Sequence, residues 1–226
     1  MCPWFDSWRH HLKTVKICSL RFFVFRTFLS LSFHFLYLKK NKNKIMNEIL
    51  VLDIETTGLS PQNDFILELG IVKLNLETGE ITELFDSVFK DPQLTAKHRD
   101  SWIFQNGFMD IDEVRNAAPL SSYAVQIQEI LNPYKGRITA WNRDFDHSFL
   151  TSNGFDLGAP VACPMKTSTH FFKIEGSRGF KWPKAQEAWD ILFPSNPKTE
   201  AHRGLDDSIM EAKIIYELVQ NGVYSI

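Results

Sequence analysis

From about residue 46 the chain alternates short apolar runs with amphipathic stretches. "EILVLDIE" (48–55) stays hydrophobic until acids interrupt its end, which reads as a buried strand. In "FILELGIVKLNLETGEITELFDSVFK" (65–90), β-branched and aromatic residues alternate with polar ones around Thr78-Gly79. This predicts two strands joined by a turn, and with the first strand an antiparallel meander. Between Ser121 and Leu131, the residues Ala124, Ile127, Gln128 and Leu131 recur at three- and four-residue steps, the spacing of a helix. "GRITAWN" (136–142) reads as a short strand opening directly into the helix "RDFDHSFLTSNG" (143–154), whose Phe145 and Phe149 share a face and whose Gly154 is a stop signal. "PKAQEAWDILF" (183–193) places Pro183 like a first-turn proline. "LDDSIMEAKIIYELVQNG" (205–222) predicts a final helix with Leu205, Ile209, Ala212, Tyr216 and Val219 as its buried stripe and Gly222 closing it. The pattern is that of one α/β domain over residues 46–226.

Charge separates this domain from what precedes it. The 226 residues hold 25 basic and 27 acidic side chains, but nine of the basic ones and only Asp6 of the acidic ones precede Met46. That leaves 16 basic against 26 acidic residues in the domain, a net charge of −10. So acidic a body excludes a wide basic face for nucleic acid, and such a partner would be held locally, through metal ions. Residues 1–45 form a basic, apolar extension. Its run from Ile17 to Leu38 is long enough for a membrane span but is interrupted by Arg21, Arg26 and His34, and its composition also fits a targeting segment. The reading we favour is a start misassigned upstream of Met46, since Phe, Leu, Lys, Asn and Ile are what AT-rich DNA encodes without selection. No membrane is expected for residues 46–226. Cys2, Cys18 and Cys163 form neither a disulfide framework nor a zinc spacing, which suits the cytoplasm.

The candidate chemistry lies where apolar runs end. Asp53 and Glu55, two apart in a strand, face the same way and repel unless a cation sits between them. The turn Thr56-Thr57-Gly58 beside them exposes backbone N–H groups. In "WNRDFD" (141–146), Asp144 and Asp146 compete for a place at the carboxyl edge of the sheet, where helix capping is the ordinary role for one of them. In "HRGLDD" (202–207), His202 and Asp207 are five apart, about 140° around a helix, so they face one site only if His202 precedes the helix. Each cluster has an innocuous explanation alone. Together, carboxylates without matching Arg or Lys suit hard divalent cations such as Mg²⁺ or Mn²⁺. Two such ions activate water and stabilise both oxygens of a phosphoryl displacement, with a histidine as base.

"DIETTGL", "WNRDFD" and "HRGLDD", in this order, resemble the three motifs of the DEDDh 3′-to-5′ exonucleases, which include the proofreading subunit of bacterial DNA polymerase III and ribonuclease T. The similarity runs from about Met46 to Tyr216. It implies an α/β, RNase H-like fold, with a mixed central sheet (an antiparallel three-strand meander plus parallel strands) and helices on both sides. It implies Asp53, Glu55, Asp146 and Asp207 as ligands of two Mg²⁺ or Mn²⁺ ions and His202 as general base, with Asp144 and Asp206 as bystanders. Thr56, Thr57 and Gly58 would bind the terminal nucleotide, Leu59 would wedge against its base, and Asn142 would lie beside the substrate. The implied activity releases nucleoside 5′-monophosphates from single-stranded 3′ ends, of DNA by preference, with a DNA polymerase as partner. The alternatives are an RNA-trimming enzyme and a non-catalytic, polymerase-associated module; the complete ligand set argues against the latter. Trp141 and Gly204 stand where the family usually has His and Ala, and "FQNGFM" (104–109) where many members have a His-Gly-Ile-like segment. The aromatic and basic residues Phe180, Lys181 and Trp182 are expected to serve core packing, with base stacking as the other reading.

Overall fold

The computed structural model describes residues 47–226, so the expectations for residues 1–45 lie outside the described residues. Strand β1 (Glu48–Thr56) is buried over its first five residues because both of its faces are covered. It pairs antiparallel with β2 (Ile66–Asn75), which pairs antiparallel with β3 (Ile81–Val88). On its other edge β1 runs parallel to β4 (Ile138–Thr139), giving the order β3-β2-β1-β4. The meander and the mixed sheet agree with the sequence; the parallel part is the pairing of β1 with β4, which is two residues long. Just past its end, the backbone N–H of Trp141 donates to the Glu211 carboxylate at 2.8 Å instead of to a strand.

The helices are α1 (Trp102–Gln105), α2 (Ile111–Asn116), α3 (Ala124–Leu131), α4 (Arg143–Ser152), α5 (Pro164–Thr167), α6 (Thr169–Phe172), α7 (Ala185–Leu192) and α8 (Gly204–Gln220). A small hairpin, β5 (Glu175–Gly176) and β6 (Gly179–Phe180), separates α6 from α7. Alternate residues of β1 serve opposite faces of the sheet. Ile49 and Val51 pack with Trp189 of α7 and Ile214 and Leu218 of α8, whereas Leu50, Leu52 and Ile54 pack with Ile127 of α3 and Phe149 of α4. Helices therefore cover both sides, and each half of the pattern in β1 has its own core.

Three local expectations shift. The helix expected from Ser121 starts at Ala124, after a 3₁₀ turn at Leu120–Ser122. Pro183 precedes Lys184, the N-cap of α7, so it stands outside the first turn, and its carbonyl accepts from the Trp141 indole at 2.9 Å. In α8, Leu205, Ile209, Tyr216 and Val219 are only half-buried, and the buried face is Gly204, Asp207, Ser208, Glu211, Ile214, Ile215 and Leu218, joined by Met210 and Ala212. The helix is rotated from the expected stripe because its inward face carries acids, which a hydrophobic count assigns to solvent.

The start of α8 approaches the sheet backbone to backbone. A Cβ on Gly70 of β2 would lie 2.2 Å from the Gly204 carbonyl group, and one on Gly204 would lie 2.7 Å from the Gly70 nitrogen. Only two glycines permit this approach, and Gly70 is the β2 residue paired with Asp53. The usual Ala at position 204 would not fit against this sheet without a shift.

Candidate active site

Asp53 and Glu55 lie at the end of β1, opposite Gly70 and Glu68 of β2, and the register slips between Glu55 and Thr56. Such a bulge ends the ladder and re-aims the chain, here into the turn 56–64. Asp64 fixes that turn by accepting from the Thr57 hydroxyl at 3.2 Å and the Ser60 N–H at 2.9 Å. The Thr56 hydroxyl donates to the Gly58 carbonyl at 2.7 Å, and the Phe65 N–H donates to the Thr57 hydroxyl at 3.0 Å. Gly58 leaves room for the Asp64 carboxylate in this position, since a Cβ there would lie 2.5 Å from it and force the carboxylate out of these hydrogen bonds. Leu59, at the tip, is 85% exposed.

Helix α4 brings in Asp146 and helix α8 brings in Asp207, each 3% exposed. Asn142 is exposed at the N-cap position of α4. His202 sits in the loop before α8 in a left-handed conformation, φ 54°. The Asp207 carboxylate accepts the N–H of Ala201 at 2.9 Å and of Arg203 at 3.1 Å, one bond on each side of His202. Ligand atoms of Glu55, His202 and Asp207 all lie within 4.8 Å of one another.

Burial raises the pKa of Asp53 well above the usual carboxylate range, reinforced by the charges of Glu211, Asp146, Glu55 and Asp207. Glu55 is pushed up to about 8, first by burial and then by Asp207 and Glu68. Asp146 is pushed up to about 8 by burial, opposed by backbone hydrogen bonds from itself and Ile54. These effects place all four carboxylates in one field, and among the described residues no Lys or Arg side chain pairs with any of them. Glu68 is different, because Arg203 Nε reaches both of its oxygens, at 2.9 and 3.1 Å. Arg203 thus neutralises the acid across from Glu55 while anchoring the loop that holds His202.

Several residues around the site escaped the sequence reading. Glu211 is a further buried acid beside the four, its pKa raised well above normal by burial and by Asp146. It stands four residues after Asp207, a helical spacing that could have revealed it. Trp102 and Phe108 stack at 5.0 Å between centroids, and both rings meet the His202 imidazole edge-on, at 4.9 and 4.2 Å. Phe108 belongs to "FQNGFM", the segment singled out as unusual. An open pocket of about 700 Å³ beside His202 is lined by Trp102, Trp141, Met165, Lys184 and Glu200 among others. Asp144 is no cap: it pairs with Arg143 and Lys166, each at 2.5 Å. Asp206 is exposed. The expected core packing of Phe180 and Trp182 is corrected, since they are 39% and 58% exposed.

The family model described as "Exonuclease" matches residues 50–215. DNA polymerase III PolC-type of Caldanaerobacter subterraneus subsp. tengcongensis is 28% identical over 190 residues, 80% of this chain and 12% of that protein. Its counterpart in Clostridium perfringens is 33% identical over 125 residues, 53% of this chain and 8% of that protein. The chain thus spans a small fraction of the length of these polymerases. Among solved structures, the nuclease domain of 3′hExo, a DEDDh family member bound to rAMP, aligns with a TM-score of 0.57 at 21% identity, covering 78% of this chain and 94% of that one. E. coli Exonuclease I in complex with a dA16 oligonucleotide aligns with a TM-score of 0.57 at 14% identity, covering 77% of this chain and 41% of that one. These structures share the fold. The matched span covers β1 through most of α8, and all three acid motifs fall inside it. The chain belongs to the exonuclease family, in its DEDDh 3′-to-5′ branch.

Proposed function

We propose that residues 47–226 hydrolyse the terminal phosphodiester of single-stranded nucleic acid from the 3′ end, DNA by preference, and release nucleoside 5′-monophosphates. The observation that carries this reading is the mutual electrostatic influence of Asp53, Glu55, Asp146 and Asp207, none of which has a Lys or Arg ion pair among the described residues. Such an oxygen donor set fits hard divalent cations, and we assign it two, Mg²⁺ or Mn²⁺. When bound, the ions would supply Lewis acidity at the phosphate and lower the pKa of water. His202, beside Glu55 and Asp207, would take the proton of the attacking water on its imidazole. Asp207 would have a second task, holding the loop that aims that imidazole. The backbone of Thr56, Thr57 and Gly58 would receive the terminal nucleotide, Leu59 would press on its base, and Asn142 would face the substrate across the cleft. Trp102 and Phe108 would fix the imidazole and exclude water from one side of it.

The PolC-type relatives support DNA as substrate and a DNA polymerase as partner; the rAMP complex of a structural neighbour supports the second reading, an enzyme that trims RNA. We place the protein in the cytoplasm because Cys163 is a free, buried thiol; no helix among the described residues is long and apolar enough to cross a membrane. The test is a nuclease assay on the full chain with matched end-labelled DNA and RNA oligonucleotides, with and without Mn²⁺. Activity that survives Asp53→Ala, Asp207→Ala or excess chelator would refute the mechanism, and the ratio of DNA to RNA rates decides the substrate.

A further inference from the structure

Beyond the pocket that holds His202, residues 164–184 differ in character from the rest of the domain. They contain Lys166, Lys173, Arg178, Lys181 and Lys184 but only one acid, Glu175, so this stretch is net +4 within a domain of net −10. Three large aromatics in it are exposed: Trp182 at 58%, Phe171 at 40% and Phe180 at 39%. The ammonium of Lys166 lies 5.0 Å from the centroid of the Trp182 ring, and the His170 ring meets Phe180 edge-on at 6.0 Å. Exposed aromatics are costly to keep in water, and basic residues interleaved with them on an acidic protein need a reason.

The strip is tied to the candidate active site from two sides. Lys166 also pairs with Asp144, two residues before Asp146 on α4. The Trp141 indole donates to the carbonyl of Pro183, the residue after Trp182. Lys184, which lines the pocket beside His202, is two residues from Trp182, so the Cα of Trp182 lies within about 7 Å of the Cα of a pocket-lining residue. Lys173 and Arg178 carry no ion pair among the described residues, so their charge is free to meet a polyanion.

We propose that this strip is the track for the nucleotides that follow the 3′-terminal one: a base stacks on Trp182 under the Lys166 ammonium, and Lys173 and Arg178 meet the phosphates beyond. The inference rests on the nuclease reading of the pocket and deepens it. The occupant is a single strand, because stacking on an exposed ring requires an unpaired base face, and a track of aromatics with cations accepts any base. It would explain how so acidic a domain holds a polyanion: the site would attract phosphate through its metals, and this basic strip would add attraction from the surface itself.

The test is steady-state kinetics of the full chain on oligo(dT) and oligo(rU) of about 20 residues, with the nitrophenyl ester of thymidine 5′-monophosphate as a substrate carrying a single base. Trp182→Ala is expected to raise KM on the oligonucleotides about tenfold with kcat retained, and to move KM on the ester by less than about twofold. Trp182→Phe restores most of the loss, and the double variant Lys173→Glu, Arg178→Glu raises KM, most at low salt, and flattens the dependence of KM on salt. An unchanged KM on both polymers, or an equal rise on polymer and ester, overturns the track and leaves the nuclease reading standing. If the wild type cleaves neither substrate, the nuclease reading falls. Fluorescence polarisation of labelled oligo(dT) then decides the track by itself: weaker binding by Trp182→Ala supports it, and equal binding or none by the wild type overturns it.

Discussion

Asp207 holds His202 by its neighbours: both oxygens of the carboxylate are engaged by the N–H groups of Ala201 and Arg203, and the histidine between them sits at φ 54°. An amide has one accepting oxygen, so Asp207→Asn leaves one of these N–H groups without its partner, at a cost of about 1–3 kcal/mol. His202→Asn tolerates the same backbone conformation and costs far less in stability, while losing about 10²- to 10⁴-fold in rate if the imidazole moves the proton. Urea denaturation and single-turnover rates of the two variants check the contrast. An unimpaired rate in His202→Asn would remove the histidine from proton transfer.

Gly70 and Gly204 make a second pair of opposites. Gly70→Ala drives a methyl group into the α8 backbone, and overpacking of this kind costs about 1–3 kcal/mol or more. Because the displaced helix carries Asp207, the variant is also expected to lose affinity for divalent metal. Gly204→Ala has the milder contact, 2.7 Å against 2.2 Å, and is expected to cost less. Thermal melts with and without Mn²⁺ measure both effects, and the reverse ranking would contradict the packing described.

Glu211→Gln keeps an oxygen for the Trp141 N–H and removes a charge that raises the pKa of Asp53. We expect it to be at least as stable as the wild type above neutral pH. Glu211→Ala, which strands that N–H, should lose about 1–3 kcal/mol. Retained activity in Glu211→Gln assigns the residue to positioning Trp141 and the start of α4. A loss as deep as that of Asp53→Ala would instead make it a fifth ligand.

In metal-free protein, Glu55 titrates near 8 folded against 4.5 for an unperturbed Glu, and Asp146 near 8 against 3.8 for an unperturbed Asp. The folded state therefore binds more protons than the unfolded one between these values. The contribution to stability is full below the unfolded pKa and falls as pH rises toward 8. The melting temperature in chelator is expected to drop between pH 5 and pH 8, roughly the span of these shifts, and Mn²⁺ should restore it most at the alkaline end. A chelated protein as stable at pH 8 as at pH 5 would contradict the burial of these acids.

The sheet was legible because β1 is written as an apolar run, and β2 and β3 as β-branched and aromatic residues alternating with polar ones around a clear turn. The rotation of α8 was not, because Asp207 and Glu211 occupy buried positions that hydrophobic periodicity reserves for Leu and Ile. The same inversion hid Trp182 and Phe180, apolar residues that face outward. The three acid motifs stood out because polar residues broke apolar runs at element ends. The Trp102–Phe108 pair did not, since its contact with His202 bridges about a hundred residues of chain and leaves no local spacing to read.

The loop between Thr56 and Asp64 has one more consequence. Its hydrogen bonds to the Asp64 carboxylate and the close approach of Gly58 hold the backbone beneath Leu59 in a defined turn. A surface that must be frozen on contact spends part of each encounter on its own ordering. Here the hydrogen bonds made on folding supply that ordering, so on the proposed reading Leu59 would meet a strand end from an already formed turn. Loosening Asp64 would then slow the search for a strand end before it touched the chemistry.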